Sequence, residues 1–531
     1  MTPEHSTSAI DLSAPHAEEI PVCGPIEESG GRLYKIFLLL FIMAVAGFLF
    51  FGLFEPFDGF HGFQEAWYAA IAENYSSHSL FMPTTYDENL DLNVPPFFSY
   101  LIYISFSLFG PGEAAARIVP VFFSLLSLLA VYLLGETLLR KGAGLETAAL
   151  FASTSLFLIL GRNVQTDIVY VTLSLFCVYF YLKARRSENS LTFVLAGIFL
   201  GFSLFTKQFA VIPAAALILF EALGPDRKKL LKKDFLIFLA AAAVVIAPYY
   251  GYHLLHDAGR LIRAQLHGSA SKAGLAAGPT LQFLLTELLW GCSPLILLGG
   301  IAGMAVSFLH FTRNKLLVIL SIALFFIFYL FFHRHSYYLF GMIPFLAVSF
   351  GWLREQLSQR IYRLILLLSI LLGFCLSLYQ SFGSNYGGGE LKQVGQYLVS
   401  YENPVVLADR AYILNYEPLF RYYARNAMLL PRDSESSPAQ RAKIRESDGI
   451  FSFSGIPIDS NTTQSIPITG TRYGLKVGTR CFIHVPPNVH FLAPAAPAET
   501  ERYEIDRSLG PFVRLTQVSF FLIKHSGSNN S

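Results

Sequence analysis

Four polar motifs interrupt a strongly apolar chain, and their side chains are of the kinds that move protons and bind phosphate. They are Gly62-Phe63-Gln64-Glu65-Ala66-Trp67-Tyr68, Val94-Pro95-Pro96, Arg162-Asn163-Val164-Gln165-Thr166-Asp167 and Thr206-Lys207. A carboxylate in a partly dehydrated site has a raised pKa and can take a proton from an acceptor hydroxyl or amine, which makes Glu65 a candidate base. The competing reading of Glu65 is a solvated loop glutamate, with Asp58, Glu73, Asp87, Glu88 and Asp91 as acidic neighbours. Asp167 caps a helix start or orients a substrate. Lys207 is a cation inside the apolar stretch 191–223, suited to a phosphate at a membrane surface, with snorkelling to the interface as the alternative. Val94-Pro95-Pro96 reads as structural, an extended residue leading into a helix start.

The elements that must position these residues are membrane helices. Of 531 residues 53% are hydrophobic and 14% charged, the mean hydropathy is +0.48, and apolar runs long enough to cross hydrocarbon recur along the chain. A net charge of +2, with no basic arm or zinc-finger spacing, argues against nucleic acid as a partner. The five cysteines form neither a disulfide framework nor a Cys-x-x-Cys site. Residues 1–31 are polar and acidic, lack the basic start and short apolar core of a signal peptide, and read as a disordered cytoplasmic tail.

Spans are expected at about 33–54, 116–139, 145–160, 168–182, 191–205, 209–223, 235–252, 280–309, 316–332, 338–353 and 361–379. The segment 97–109 is too short to cross ~30 Å at ~1.5 Å per residue and is expected to lie in the interface. Leaving it out gives about eleven spans. The basic clusters Arg32/Lys35, Arg140/Lys141, Lys183/Arg185/Arg186, 227–233, Arg313/Lys315 and Arg354/Arg360/Arg363 then all fall inside. The first outer loop, 55–115, the turn 162–167, Lys207, the loop 253–279 and the segment 333–335 fall outside, as does everything after Gln380. Arg260, Arg263, His267 and Lys272, with His333, Arg334, His335, Tyr337 and Tyr338, give that face a basic rim able to hold an anionic head group.

Composition therefore divides the chain into the tail, a membrane domain over 32–382 and an α/β domain over 383–531 that lies outside the membrane. Gly387-Gly388-Gly389 forms a flexible joint between the last two. A helix is expected over 390–400 and short strands at 404–408, 449–453, 481–485 and 518–524. The last domain shows no catalytic motif and reads as accessory.

Together the motifs resemble the membrane glycosyltransferases of the C-type fold that use a polyprenyl-phosphate sugar, a group that includes protein O-mannosyltransferases and lipid A aminoarabinose transferases. The resemblance covers about 33–353. The family's Asp-Glu-x-x-Tyr-x-x-Ile-Ala corresponds to Gln64-Glu65-Ala66-Trp67-Tyr68-Ala69-Ala70-Ile71-Ala72. Its Lys-Pro-Pro or His-Pro-Pro corresponds to Val94-Pro95-Pro96, and its Phe-Gly-x-x-Glu-x-x-x-Arg to the segment from Phe109-Gly110 through Glu113 to Arg117. The family's Asp after the third span and its Thr-Lys match Asp167 and Thr206-Lys207. Two departures stand out: Gln64 replaces the first acid of the pair, and Val94 replaces the basic residue before Pro-Pro.

The resemblance implies an α-helical polytopic membrane protein of the plasma (inner) membrane, working on its extracytoplasmic face. It implies transfer of a hexosyl or pentosyl group from a polyprenyl-phosphate donor to a lipid, glycan or protein acceptor. Glu65 is the expected base, with Asp167 the rival for that role. Gln64, Tyr68, Arg162, Lys207, His267, Arg334 and Tyr337 are the expected substrate contacts. No cofactor is required in this scheme, because fixed cations can neutralise the leaving group, and a divalent metal is compatible with it. The alternative class is a non-catalytic transporter or lipid-binding membrane protein. A transporter calls for acids or Gly/Pro breaks at mid-membrane, whereas the charges here gather near span ends.

Overall fold

A computed structural model describes residues 28–57, 64–86, 89–224, 232–272, 288–289, 291–331 and 336–383. Beyond these it describes 392, 395–396, 398–399, 402, 404–408, 410–431, 449–454, 464–472, 475–485 and 519–523. The joint at 387–389, the tail up to residue 27 and Arg334 lie outside the described residues, as does the side chain of His267.

Among the described residues the membrane part is built of helices, of which six are long and apolar enough to cross a bilayer and four apolar ones are shorter. In chain order the helices are α1 (Glu28–Leu49), α2 (Gln64–Asn74), α3 (Phe97–Phe109), α4 (Glu113–Leu138), α5 (Gly144–Ala152), α6 (Ser155–Leu160), α7 (Thr166–Ser187) and α8 (Ser190–Thr206). Then come α9 (Val211–Ala222), α10 (Lys233–Lys272), α11 (Pro294–Ser307), α12 (Arg313–Phe331), α13 (Ile343–Phe350) and α14 (Gln359–Gly383). The segment expected at the interface is the 13-residue helix α3, which packs on α2 and α4.

Three expected spans take another form. The run 145–160 is broken at Ser153 and Thr154 into α5 and α6, where both hydroxyls donate back to carbonyls of the preceding turn, Leu150 O and Phe151 O. Side chains that bond the local backbone in this way compete with helix continuation. The run 338–353 is one short α-helix, α13, between 3-10 turns at Ser336–Met342 and Gly351–Glu355. The run 235–252 is the first part of α10, which is 40 residues long in all and has a non-helical kink at Asp257.

Helix contacts in lipid depend on close backbone approach and a few polar bonds, because burying apolar surface gains little there. On α8, Gly197 and Gly201 face α10: a Cβ at Gly197 would overlap the Phe238 carbonyl, and one at Gly201 would lie 2.7 Å from Val245 Cβ. Ser174 and Ser203 share a hydrogen bond of 2.7 Å between α7 and α8, and Ser155 and Ser377 share one of 3.1 Å between α6 and α14.

Two buried carboxylates gather cations that the charge pattern puts inside. Glu221 pairs with Arg185 and Arg313, each at 2.9 Å, and accepts from Tyr181. Glu146 pairs with Arg140 at 3.5 Å and accepts from Tyr34 and Tyr362.

Among the described residues after α14 are helix α15 (Arg410–Tyr423) and six strands: β1 (Pro404–Ala408), β2 (Met428–Pro431), β3 (Gly449–Ser454), β4 (Gln464–Arg472), β5 (Leu475–Val485) and β6 (Ser519–Ile523). One mixed sheet results, in the order β2-β1-β3-β6-β5-β4. Strands β1, β2 and β3 are parallel, while β3–β6 and β4–β5 are antiparallel. The four expected strands are present, and β2, β4 and α15 add to them. Residues 392, 395, 396 and 398 are helical, within the helix expected at 390–400.

Candidate active site

Glu65 is the second residue of α2 and is buried, 1% exposed. Its Oε1 accepts from Arg117 Nε at 3.1 Å and from the Val164 N–H at 2.9 Å, and its Oε2 accepts from Arg117 Nη2 at 2.9 Å. Arg117, one turn into α4 and also buried, donates further to the carbonyls of Gly52, Glu55 and Pro56. This forked pair ties α2 to α4, to the chain leaving α1 and to the turn before α7. A bidentate guanidinium–carboxylate pair is among the strongest of charge-assisted contacts, and here it and the Val164 N–H occupy both oxygens of the carboxylate. Such a carboxylate is better suited to anchor a site than to accept a proton. The expectation that Glu65 is the base meets this geometry, and it weighs against that role.

Asp167, in the first turn of α7, is 1% exposed. It pairs with Lys207 Nζ at 2.7 Å across 40 residues of sequence. Lys207 ends α8 in extended backbone, and four rings surround its ammonium: Tyr337 at 4.9 Å, Phe209 at 5.1 Å, Tyr338 at 5.5 Å and Tyr170 at 5.6 Å. Rings at these distances stabilise a cation that has lost part of its water. Tyr337 and Tyr338 come from the 3-10 turn before α13, and their hydroxyls lie 3.4 Å apart. Tyr68, from α2, feels the charge of Asp167; burial first, then that charge, pushes its phenol above the ordinary range.

The structure thus brings Glu65, Tyr68, Asp167, Lys207 and Tyr337 into one region, linked by the stretch 164–167. Gln64 opens α2 beside Glu65 and is half-buried. The Arg162 guanidinium donates to Leu158 O at 3.1 Å and Phe51 O at 3.5 Å, and lies 4.6 Å from the centre of the Phe48 ring. These contacts brace the end of α1. Arg260 and Arg263 of the expected rim are exposed on the second half of α10.

The sequence reading gave no role to Arg117, Tyr170, Phe209 or Asp91, the last of which accepts from the Trp67 indole at 2.9 Å. A signal for Arg117 was present. Glu113 and Arg117 are spaced one helical turn apart in a matched motif, so the arginine had to share a face with whatever Glu113 faced. Among the described residues no three His, Cys, Asp or Glu side chains converge as a metal-ligand set.

Residues 93–252 match the model of the dolichyl-phosphate-mannose-protein mannosyltransferase family. Among curated proteins, the chain is 30% identical over 156 residues to the lipopolysaccharide core galacturonosyltransferase RgtB of Rhizobium johnstonii. That match covers 29% of this chain and 31% of the relative, so it spans about a third of the relative's length. Among solved structures, ArnT from Cupriavidus metallidurans bound to undecaprenyl phosphate superposes with a TM-score of 0.61 at 14% identity, over 79% of this chain and 93% of that one. The Archaeoglobus fulgidus oligosaccharyltransferase in its apo form superposes with a TM-score of 0.55 at 16% identity, over 77% and 65% of the two chains. The likeness to these solved structures shows the fold that this multi-pass membrane protein shares with them, and residues 93–252 carry the match to the mannosyltransferase family model.

Proposed function

We propose that the protein transfers a hexosyl or pentosyl group from a polyprenyl-phosphate sugar to a lipid, glycan or protein acceptor, on the extracytoplasmic face of the plasma (inner) membrane. The observation that carries this reading is the Asp167–Lys207 pair, a carboxylate and an aromatic-caged cation side by side in a buried site. Lys207 with its rings is the phosphate subsite. Asp167 is the base, and Tyr68 and Tyr337 are polar contacts around it.

In the reaction the acceptor hydroxyl attacks the anomeric carbon, the bond from that carbon to the phosphate oxygen breaks, and the lipid phosphate leaves with the electron pair. The acceptor's proton passes to the Asp167 carboxylate. Charge developing on the phosphate draws Lys207 toward it and loosens the lysine's hold on Asp167, which raises the carboxylate's basicity as the proton arrives. Glu65 and Arg117 hold the turn that carries Asp167. Fixed cations carry the leaving-group charge in this scheme, and no step runs through a metal; chelation during turnover tests that part. The structural likenesses are to transferases, and nothing in them favours the transporter or lipid-binding alternative.

The test is incubation of the purified protein in lipid with radiolabelled polyprenyl-phosphate sugars and candidate acceptors. Label released to lipopolysaccharide core, glycan or protein supports the reading and names the sugar. No transfer from any polyprenyl-phosphate donor would overturn it.

A further inference from the structure

The described residues after α14 reach back to the outer loop at three points. Tyr423, the last residue of α15, accepts from the Phe57 N–H at 2.6 Å and donates to Glu113 Oε1 at 3.0 Å. Lys392 donates to the same Glu113 oxygen at 2.6 Å. Arg425 pairs with Glu73. Phe57 is fully buried, with its ring edge-on to Tyr422 at 4.9 Å, and the Arg117 guanidinium lies 5.5 Å from its centre.

These anchor points fall on the three elements that meet in the Glu65–Arg117 pair. Glu73 lies near the end of α2, the helix that Glu65 starts. Glu113 precedes Arg117 by one turn of α4. Phe57 follows Glu55 and Pro56, whose carbonyls Arg117 binds. Gly395 adds an independent sign of close fit: a Cβ there would overlap the carbonyl of Tyr423, so Gly395 packs directly on the end of α15.

We propose that Tyr423 is a positioning residue. The C-terminal domain braces the Glu65–Arg117 pair through it, and the Val164 N–H on Glu65 carries that bracing to the turn holding Asp167. The inference rests on the proposed role of Asp167 only for its effect on turnover; the bracing itself is a separate, measurable property. It gives that domain a part in catalysis through its contacts with the outer loop.

Tyr423→Phe keeps the ring and removes both hydrogen bonds. In the full-length protein in lipid, two quantities are measured. The first is hydrogen–deuterium exchange over 52–57, 64–66 and 164–167. The second is kcat and KM with a labelled polyprenyl-phosphate sugar. Exchange should quicken in all three segments. The kcat should fall about tenfold with the donor KM within about twofold, because the lost bonds order the base rather than the phosphate subsite. Gly395→Ala should give the same exchange signature, and Arg425→Lys should restore what Arg425→Ala loses.

Unchanged exchange in Tyr423→Phe would overturn the bracing. Faster exchange with unchanged kcat, or equal losses in kcat and donor binding, would overturn the positioning role. A wild-type protein that transfers no sugar would overturn the chemistry proposed above, and the exchange measurement would still decide the bracing.

Discussion

Glu65 and Asp167, both buried in the candidate site, differ in what their loss should do. Asp167→Asn removes the proposed base while keeping shape, so transfer should fall roughly 10²–10⁴-fold with donor binding retained, as single-turnover assays would show. Glu65→Gln leaves Arg117 buried with its pair broken, a change that costs about 3–5 kcal/mol. It should therefore lower the unfolding temperature and folded yield together with activity. A stable Glu65→Gln protein that binds donor normally and fails only in turnover would return the base role to Glu65. Lys207→Ala should weaken donor binding by about 1.5–3 kcal/mol, the worth of a charge-assisted bond; unchanged donor affinity would show that the lysine only snorkels. Glu65, Asp167 and Lys207 were legible in the sequence because ionisable residues beside apolar spans are costly and few. Their pairing was not, since Arg117 lies 52 residues from Glu65 and Lys207 lies 40 from Asp167. Residue type tells that a buried charge needs a partner, and only the fold tells which one.

At the scale of the element, hydropathy located the helices and missed their interruptions. The 13-residue length of α3 was readable because a deficit of length shows in the sequence. The break at Ser153 and Thr154 was not, because serine and threonine are tolerated within apolar helices and end them only where their hydroxyls turn back on the carbonyls. The pairing of α8 with α10 rests on glycine in the same hidden way. Gly197→Leu should push these helices apart, costing about 1–3 kcal/mol as overpacking does. Thermal unfolding in detergent checks this, with Leu195→Ala, on an exposed position of the same helix, as the control.

For the whole molecule, the placement of charge is consistent with the topology read from the loops. Asp167 and Arg185 stand at opposite ends of α7, eighteen residues apart, which is about 27 Å at ~1.5 Å per residue and close to the thickness of a hydrocarbon core. The site lies at one end of the helix, and the Glu221 cluster with its arginines lies at the other. A cysteine placed near Arg140 should thus resist impermeant label from outside, while one in the segment 76–79 should react. Labelling of the first from outside would reverse the topology. The strands at 404–408 and 449–453 were visible as short apolar runs. Their order in the sheet was not, because β6 enters between β3 and β5 from 65 residues further along than β3.

The caged lysine also bears on how the catalytic cycle ends. On the proposed reading the donor is a phosphodiester with one negative charge, whereas the spent carrier is a monoester whose second ionisation lies near pH ~6, so at neutral pH it carries almost two. A cation ringed by aromatic faces and largely stripped of water favours the more highly charged of the two. The enzyme should accordingly be subject to product inhibition by its own lipid phosphate. A rapid first turnover followed by a slower steady state would mark carrier release as the limiting step, and the slow phase should quicken as pH falls toward that ionisation.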